Sequence, residues 1–112
     1  MLGLKLVLLT VLLIPEAHAL TSEAQEFMSI TQQLEPVQCE KRRLRWQMAL
    51  AEAEKRDARE LRKKFSALDR DPKTARLEKR LAQLEPRVAR SPDPEDLAAI
   101  SRQQREAFYR CE

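Results

Sequence analysis

Glycine and histidine are almost missing from this 112-residue chain, and asparagine is missing altogether. The one glycine, Gly3, and the one histidine, His18, both lie in the N-terminal stretch. The rest of the chain has no imidazole for a Ser/His or Cys/His nucleophile pair or for an ordinary zinc site. It also has none of the glycine loops that cradle phosphates or carry nucleophile elbows. Most hydrolases, nucleotide-binding enzymes and metalloenzymes are therefore disfavoured, and we predict no catalytic residue, no metal site and no cofactor.

Residues 1–19 have the organisation of a cleaved secretory signal peptide. Lys5 provides the positive start, residues 6–14 form an apolar run of nine, and Ala17-His18-Ala19 has the small-x-small pattern of a signal-peptidase site. The run is shorter than the stretch of about 20 residues that spans a bilayer. We therefore expect cleavage after Ala19, no transmembrane segment in the mature form, and a periplasmic or secreted location for a single helical domain over residues 20–112.

The mature chain has two cysteines, Cys39 and Cys111. An even cysteine count in an exported chain favours a disulfide, and only this pairing is available within one molecule. Closing so long a loop restricts the unfolded chain by about 4 kcal/mol in the entropy model. No C-x-x-C motif is present, which disfavours a reactive thiol. We therefore predict a structural Cys39–Cys111 disulfide.

Helical periodicity is the strong structural signal, and prolines divide it into segments. Pro36 is expected to end or kink the first helix, because proline cannot donate a helical hydrogen bond. Asp71 followed by Pro72 is expected to cap and open the third helix, and Ser91–Pro94 to restart the fourth. Pro86 is expected to bend the third helix near its end. The predicted helices cover residues of about 22–35, 37–69, 72–90 and 94–111.

Helix lengths and cysteine positions together predict an all-α fold built as a long antiparallel helical hairpin. The second helix would pair with the third and fourth, which would run on in one direction so that Cys111 reaches Cys39. The tip of the hairpin would then be the turn from Asp69 to Pro72. A second apolar stripe on the first half of the second helix would be covered by the short first helix, packed at the base with Trp46 as a buried anchor.

Positive charge is concentrated around this predicted tip. Residues 55–80 contain eleven lysines and arginines against five acids, a net charge of +6. Such a projection is typical of a surface that binds an acidic partner, although a solvated helical face with i, i+4 ion pairs explains the same pattern. The candidate partner-binding residues are Lys55, Arg59, Arg62, Lys63, Lys64, Arg70, Lys73, Arg76, Lys79 and Arg80.

Three classes of function remain. The first is a non-enzymatic helical accessory, adaptor or chaperone-like protein of the bacterial periplasm or cell envelope, which contacts another envelope or secreted protein through the basic tip. The second is a binder of an anionic envelope component such as lipopolysaccharide. The third is an all-helical, histidine-free enzyme of chorismate-mutase type, in which Lys55 and Arg62 point inward to hold a dianion. A nucleic-acid partner conflicts with export and with the lack of interleaved aromatic residues, and a homodimer closed through the leucine seam stays open as an alternative.

Overall fold

The computed structural model describes Gly3 and residues 20–111. The rest of the predicted signal peptide, including the expected cleavage site, lies outside these residues. The helices of the described chain are α1 (Ser22–Ala53), α2 (Arg59–Arg70), α3 (Pro72–Ala89) and α4 (Pro94–Arg110). The predictions of an all-helical fold and of a Cys39–Cys111 disulfide are confirmed.

The first helix, α1, is 32 residues long and runs through Pro36 without interruption. The prediction of separate helices at 22–35 and 37–69 is therefore wrong at this point. Pro36 cannot donate to the carbonyl of Gln32, a loss of about 3 kcal/mol in a helix interior. Both residues are exposed, so that water can take up the free carbonyl. Burial of Leu34 and Leu44 on the two sides supports the helix through the proline.

The chain turns instead over residues 54–58, where the sequence predicts uninterrupted helix. Lys55 has a φ of 55°, a left-handed conformation that glycine usually supplies at helix ends. The N–H of Lys55 donates to the carbonyl of Glu52 at 3.2 Å, and the N–H of Arg56 donates to the carbonyl of Ala51 at 2.7 Å. These two bonds form a Schellman motif, which ends α1 although no glycine is present.

A side-chain hydrogen bond lies just before the next helix. The carboxylate of Asp57 accepts from the backbone N–H of Arg59 at 3.0 Å. The N-cap of α2 is Ala58, which has no side-chain acceptor. The run of strong helix formers around this turn therefore favours continuous helix when the sequence is considered alone.

After this turn, α2 and α3 follow each other in line and run antiparallel to α1. Lys41 near the middle of α1 forms ion pairs with Asp69 at the end of α2 and with Glu78 in α3. Further along, Arg87 of α3 reaches Glu23 at the start of α1. The predicted tip after Asp69 is thus wrong, because that joint lies halfway along the hairpin and the true tip is the 54–58 turn.

The last helix, α4, reverses direction and runs parallel to α1. Asp96 in its first turn accepts a hydrogen bond from Thr21, and the amide of Gln103 donates to the carbonyl of Met28 at 2.8 Å. The prediction that the third and fourth helices run on in one direction is therefore wrong. The disulfide forms nonetheless, because α4 is about 25 Å long and so is the part of α1 that precedes the first cysteine.

The hydrophobic core lies where the first half of α1, α3 and α4 meet as a three-helix bundle. This position of α4 corrects the prediction that a short N-terminal helix supplies the third helix of the bundle. Full burial of each large apolar side chain stabilises the fold by about 1.5–3 kcal/mol. The buried core residues are Ala24, Phe27, Ile30, Leu34, Leu84, Val88 and Ile100.

A buried carboxylate joins the N-terminal ends of α1 and α4. Asp96 is 0 % exposed, and it accepts hydrogen bonds from the backbone N–H of Thr21 at 3.1 Å and from its hydroxyl at 2.6 Å. The hydroxyl of Ser91 donates to the same carboxylate at 2.7 Å. These bonds, those from Thr21 first, hold the pKa of Asp96 below its ordinary value of 3.8.

The buried carboxylate predicts a loss of stability in acid. The pKa of Asp96 is lower in the folded chain than in the unfolded chain. Its ionised carboxylate therefore contributes to the free energy of unfolding above pH 3.8, and this contribution disappears as the pH falls through the folded pKa. We expect Asp96→Asn to lower the free energy of unfolding at pH 7 and to flatten its decline below pH 4. Urea unfolding between pH 7 and pH 2 measures both. Glu95→Gln, an exposed carboxylate of the same turn, is the control; equal effects of the two variants would contradict the assignment.

The disulfide predicts a second loss of stability. The two cysteines are 72 residues apart, so Cys39→Ala with Cys111→Ala should lower the free energy of unfolding by about 4 kcal/mol. Urea titrations followed by helical circular dichroism would measure the difference. The reduced wild-type protein should unfold like the double variant, and an unchanged midpoint in both would show that the bond does not constrain the chain.

Candidate interaction surface

The end of α4 is fixed to the middle of α1 by polar contacts as well as by the disulfide. The guanidinium of Arg42 donates to the carbonyls of Phe108 at 2.8 Å and Cys111 at 3.0 Å, and it lies 4.1 Å from the centre of the Phe108 ring. Arg110 binds the carboxylate of Glu35 through two hydrogen bonds of 2.7 and 3.0 Å. The helix therefore stops at a defined place, and α1 continues for about 20 Å beyond it.

Lys41 marks the same level on the opposite side of α1. It is only 7 % exposed, and it forms ion pairs with Asp69 and, at 3.1 Å, with Glu78. Its ammonium nitrogen lies 5.7 Å from the centre of the Phe65 ring. Burial acts to lower the pKa of Lys41, but the hydrogen bonds to the two carboxylates outweigh it and raise the pKa above its ordinary value. Lys41 therefore stays charged and joins α1, α2 and α3.

Beyond Lys41 the chain forms a two-helix arm, which we define as residues 42–70. It carries ten lysines and arginines against five acids, a net charge of +5, whereas the rest of residues 20–112 nets −2. No residue of α2 is fully buried. The buried residues of the arm are Leu44, Ala51 and Ala58. The arm is therefore thin, basic and largely solvent-exposed.

The ten predicted partner-binding residues do not form one tip. They are spread along about 30 Å of helix. Arg80 is occupied in the bundle, where it donates to both carboxylate oxygens of Glu26 at 2.6 and 2.9 Å. The residues that lie on the arm are Lys55, Arg59, Arg62, Lys63, Lys64 and Arg70. Those on α3, beside the bundle, are Lys73, Arg76, Lys79 and Arg80.

Lys55 and Arg62 do not share an inward face of one helix. Lys55 lies in the turn at the end of the arm and Arg62 is exposed on α2, so their expected position on the inward stripe of a continuous second helix is wrong. Within residues 20–111, no three acidic, cysteine or histidine side chains come together as metal ligands. Nor does any helix in this range combine the length and hydropathy that a membrane crossing requires.

An exposed apolar stripe follows the arm along α1. Trp46 is 66 % exposed and Leu50 is 37 % exposed, so the prediction of Trp46 as a buried anchor is wrong. The helix expected to cover it is part of α1 itself, and α4 ends before reaching it. The sequence pattern identified the stripe correctly but assigned its cover to the wrong helix. The Trp46 stripe consists of the exposed residues Trp46, Ala49, Leu50 and Ala53.

The Trp46 stripe continues the face of α1 on which α4 lies. Residues that recur every three or four positions share one face of a helix. Counted from Arg42, which contacts α4, the residues Trp46, Leu50 and Ala53 follow at intervals of four, four and three. They therefore lie on the same face of α1 as the contacts with α4. The polar and disulfide contacts of α1 with α4 include the backbone carbonyl of Met28 and the side chains of Glu35, Cys39 and Arg42. Helix α4 thus covers this face of α1 as far as the disulfide, and beyond the disulfide the same face is uncovered.

Two grooves border the Trp46 stripe. The first, of about 600 Å³, begins at the end of α4 and is lined by Pro36, Cys39, Glu40, Arg42, Arg43, Trp46 and Cys111. The second, of about 300 Å³, lies between α1 and α2 and is lined by Gln47, Leu50, Arg56 and Leu61. In the first, Arg43 donates to Glu40 at 2.6 Å and remains mostly exposed. The stripe therefore presents an apolar centre bordered by charged side chains, of which Arg42, Arg43 and Arg56 are cationic and Glu40 is acidic.

No protein-family model matches the chain, and searches of curated proteins and of solved structures find no similar protein. The geometry of the arm and its stripe is therefore the basis for a functional proposal.

Proposed function

We propose that this chain is an exported, non-enzymatic helical adaptor or accessory protein of the periplasm or cell envelope, which acts by contact with another protein. The two-helix arm is the contact surface. The observation that carries the proposal is the charge of the arm: +5 over residues 42–70, on a projection that leaves the three-helix bundle. A disulfide is compatible with an oxidising compartment outside the cytoplasm.

Charge on a thin projection supports recognition of an acidic protein. Clustered charges of one sign accelerate the encounter with an oppositely charged surface. Because both helices of the arm are exposed to solvent, a partner can contact its cations from several sides. Arg56 and Arg59 are paired locally with Glu54 and Asp57. The net charge of +5 therefore comes from the other cations of the arm, which outnumber its remaining acids by eight to three.

A second candidate function is binding of an anionic envelope component such as lipopolysaccharide. The same exposed cations favour it, especially Lys63 and Lys64 on α2. Binding to a polyanion by charge alone releases counterions and weakens steeply as salt rises. Binding that also buries apolar surface keeps more of its affinity in salt. The dependence of binding on salt therefore separates the two functions.

An enzyme of chorismate-mutase type receives little support. Its proposed anion ligands, Lys55 and Arg62, are solvent-exposed and lie on different elements. Such a site needs cations that converge in a cavity from which water is excluded.

Charge reversal on the arm should abolish partner binding without unfolding the protein. We predict that Lys63→Glu with Arg70→Glu reduces capture of the partner by about tenfold or more, since each pair of reversed charges removes attraction and adds repulsion. Capture is measured by crosslinking in cells through a photoreactive residue at position 67, between the two changed residues on α2.

The matched control is Arg102→Glu with Arg105→Glu, which changes the net charge equally on exposed residues of α4. This variant should keep full capture and both variants should keep near-native melting temperatures. Equal loss in both, or no loss in either, contradicts the arm as the contact surface. Crosslinking to lipopolysaccharide in place of protein supports the second candidate.

A further inference from the structure

We propose that the Trp46 stripe binds an acidic amphipathic helix of the partner protein, laid along α1 where α4 would lie if it were longer. This inference rests on the proposed function and deepens it, because it names the recognition surface on the arm and the class of segment that binds there.

The geometry of the bundle defines the vacant position. Along the first half of α1, α4 packs parallel to it and ends at Cys111, beside Cys39. Arg42 is the last residue of this face that contacts α4, and beyond it the face continues through Trp46 to Ala53 after α4 has ended. A partner helix of about 8–11 residues spans this distance at 1.5 Å per residue. It would complete a three-helix bundle in the arm with α1 and α2.

The apolar content of the stripe supplies the affinity. Trp46 is the only tryptophan of the chain, and about two thirds of its surface is exposed although it lies in a groove. Tryptophan and arginine are both enriched among interface hot spots, and burial of a tryptophan ring gains a large area at little cost in side-chain entropy. Leu50 one turn further, together with Ala49 and Ala53, gives a second contact layer at helical spacing. Small side chains at two of the four positions let a partner helix approach closely.

Charge selects an acidic helix over a second copy of this chain. Arg42, Arg43 and Glu40 line the groove around Trp46, and Arg56 lines the groove beside Leu50. Arg43 is paired with Glu40 and Arg56 with Glu54, but both pairs are exposed and the arm keeps its net charge of +5. A helix with leucine-type residues on one face and Glu or Asp on its flanks would place carboxylates against these cations. Two arms of net charge +5 would instead repel each other.

Photocrosslinking in cells tests the position. A photoreactive residue at position 50 should capture a partner protein at least about tenfold more efficiently than one at position 97. Leu97 is the matched control, since it is 43 % exposed on α4 and lies away from the stripe. Mass spectrometry should map the adduct to a segment with helical apolar periodicity and acidic flanks.

A synthetic peptide of the mapped segment then tests the contact with the purified full chain. Its binding should shift the emission of Trp46 to the blue, because the indole leaves water. Leu50→Asp should weaken binding by about tenfold or more and Leu97→Asp by less than about twofold. A peptide with lysine in place of its acidic residues should not bind.

Equal crosslinking at positions 50 and 97, adducts between two copies of this chain, or a mapped segment without acidic flanks would each overturn the inference. If position 67 on α2 still captures the protein partner in those cases, the proposed function stands. Loss of protein adducts at both positions overturns both. A blue shift of Trp46 produced equally by anionic lipid vesicles and by the peptide assigns the stripe to a lipid surface and also overturns the inference.

Discussion

The continuity of α1 through Pro36 is the constraint on which the rest of the structure depends. A helix of 32 residues provides one axis for both the three-helix bundle and the arm. The missing hydrogen bond costs about 3 kcal/mol in an isolated helix, and tertiary contacts on both sides of the proline offset it. Leu34 is buried just before Pro36, whereas the disulfide and Arg42 bind α4 just after it. A chain without these contacts would be expected to break at Pro36, as the local sequence suggests.

The match in length between α4 and the first half of α1 determines which part of α1 is covered by α4 and which part is uncovered. Both measure about 25 Å, so Cys111 reaches Cys39 after a full reversal of the chain. A longer α4 would have covered Trp46. The disulfide and the contacts of Arg110 with Glu35 stabilise the bundle and also fix the position at which α4 ends, which leaves the Trp46 stripe of α1 exposed.

Local chemistry allowed much of the fold to be predicted from the sequence. Asp71 and Pro72 open α3, and Asp93 and Pro94 open α4, because a side-chain acceptor followed by proline is a strong start signal. Cysteine count gave the disulfide. The end of α1 could not be predicted, since Lys55 adopts the left-handed conformation that sequence rules reserve for glycine. Ala51 and Ala58 are buried on either side of that turn, and tertiary contacts of this kind leave no local signature in the sequence.

The same two errors explain why the candidate surface was only partly predicted. The predicted break at Pro36 produced a short first helix that would cover the Trp46 stripe. The predicted continuation of the helix through Lys55 placed the tip of the hairpin one length of α2 away from its true position. The prediction of a basic projection did not depend on either error, because the basic residues lie on an exposed projection in both the predicted and the observed arrangement. Charge alone favours any anionic partner, whereas an uncovered row of apolar side chains at helical spacing favours another helix. The combination of the two on one arm restricts the partner more than either does separately.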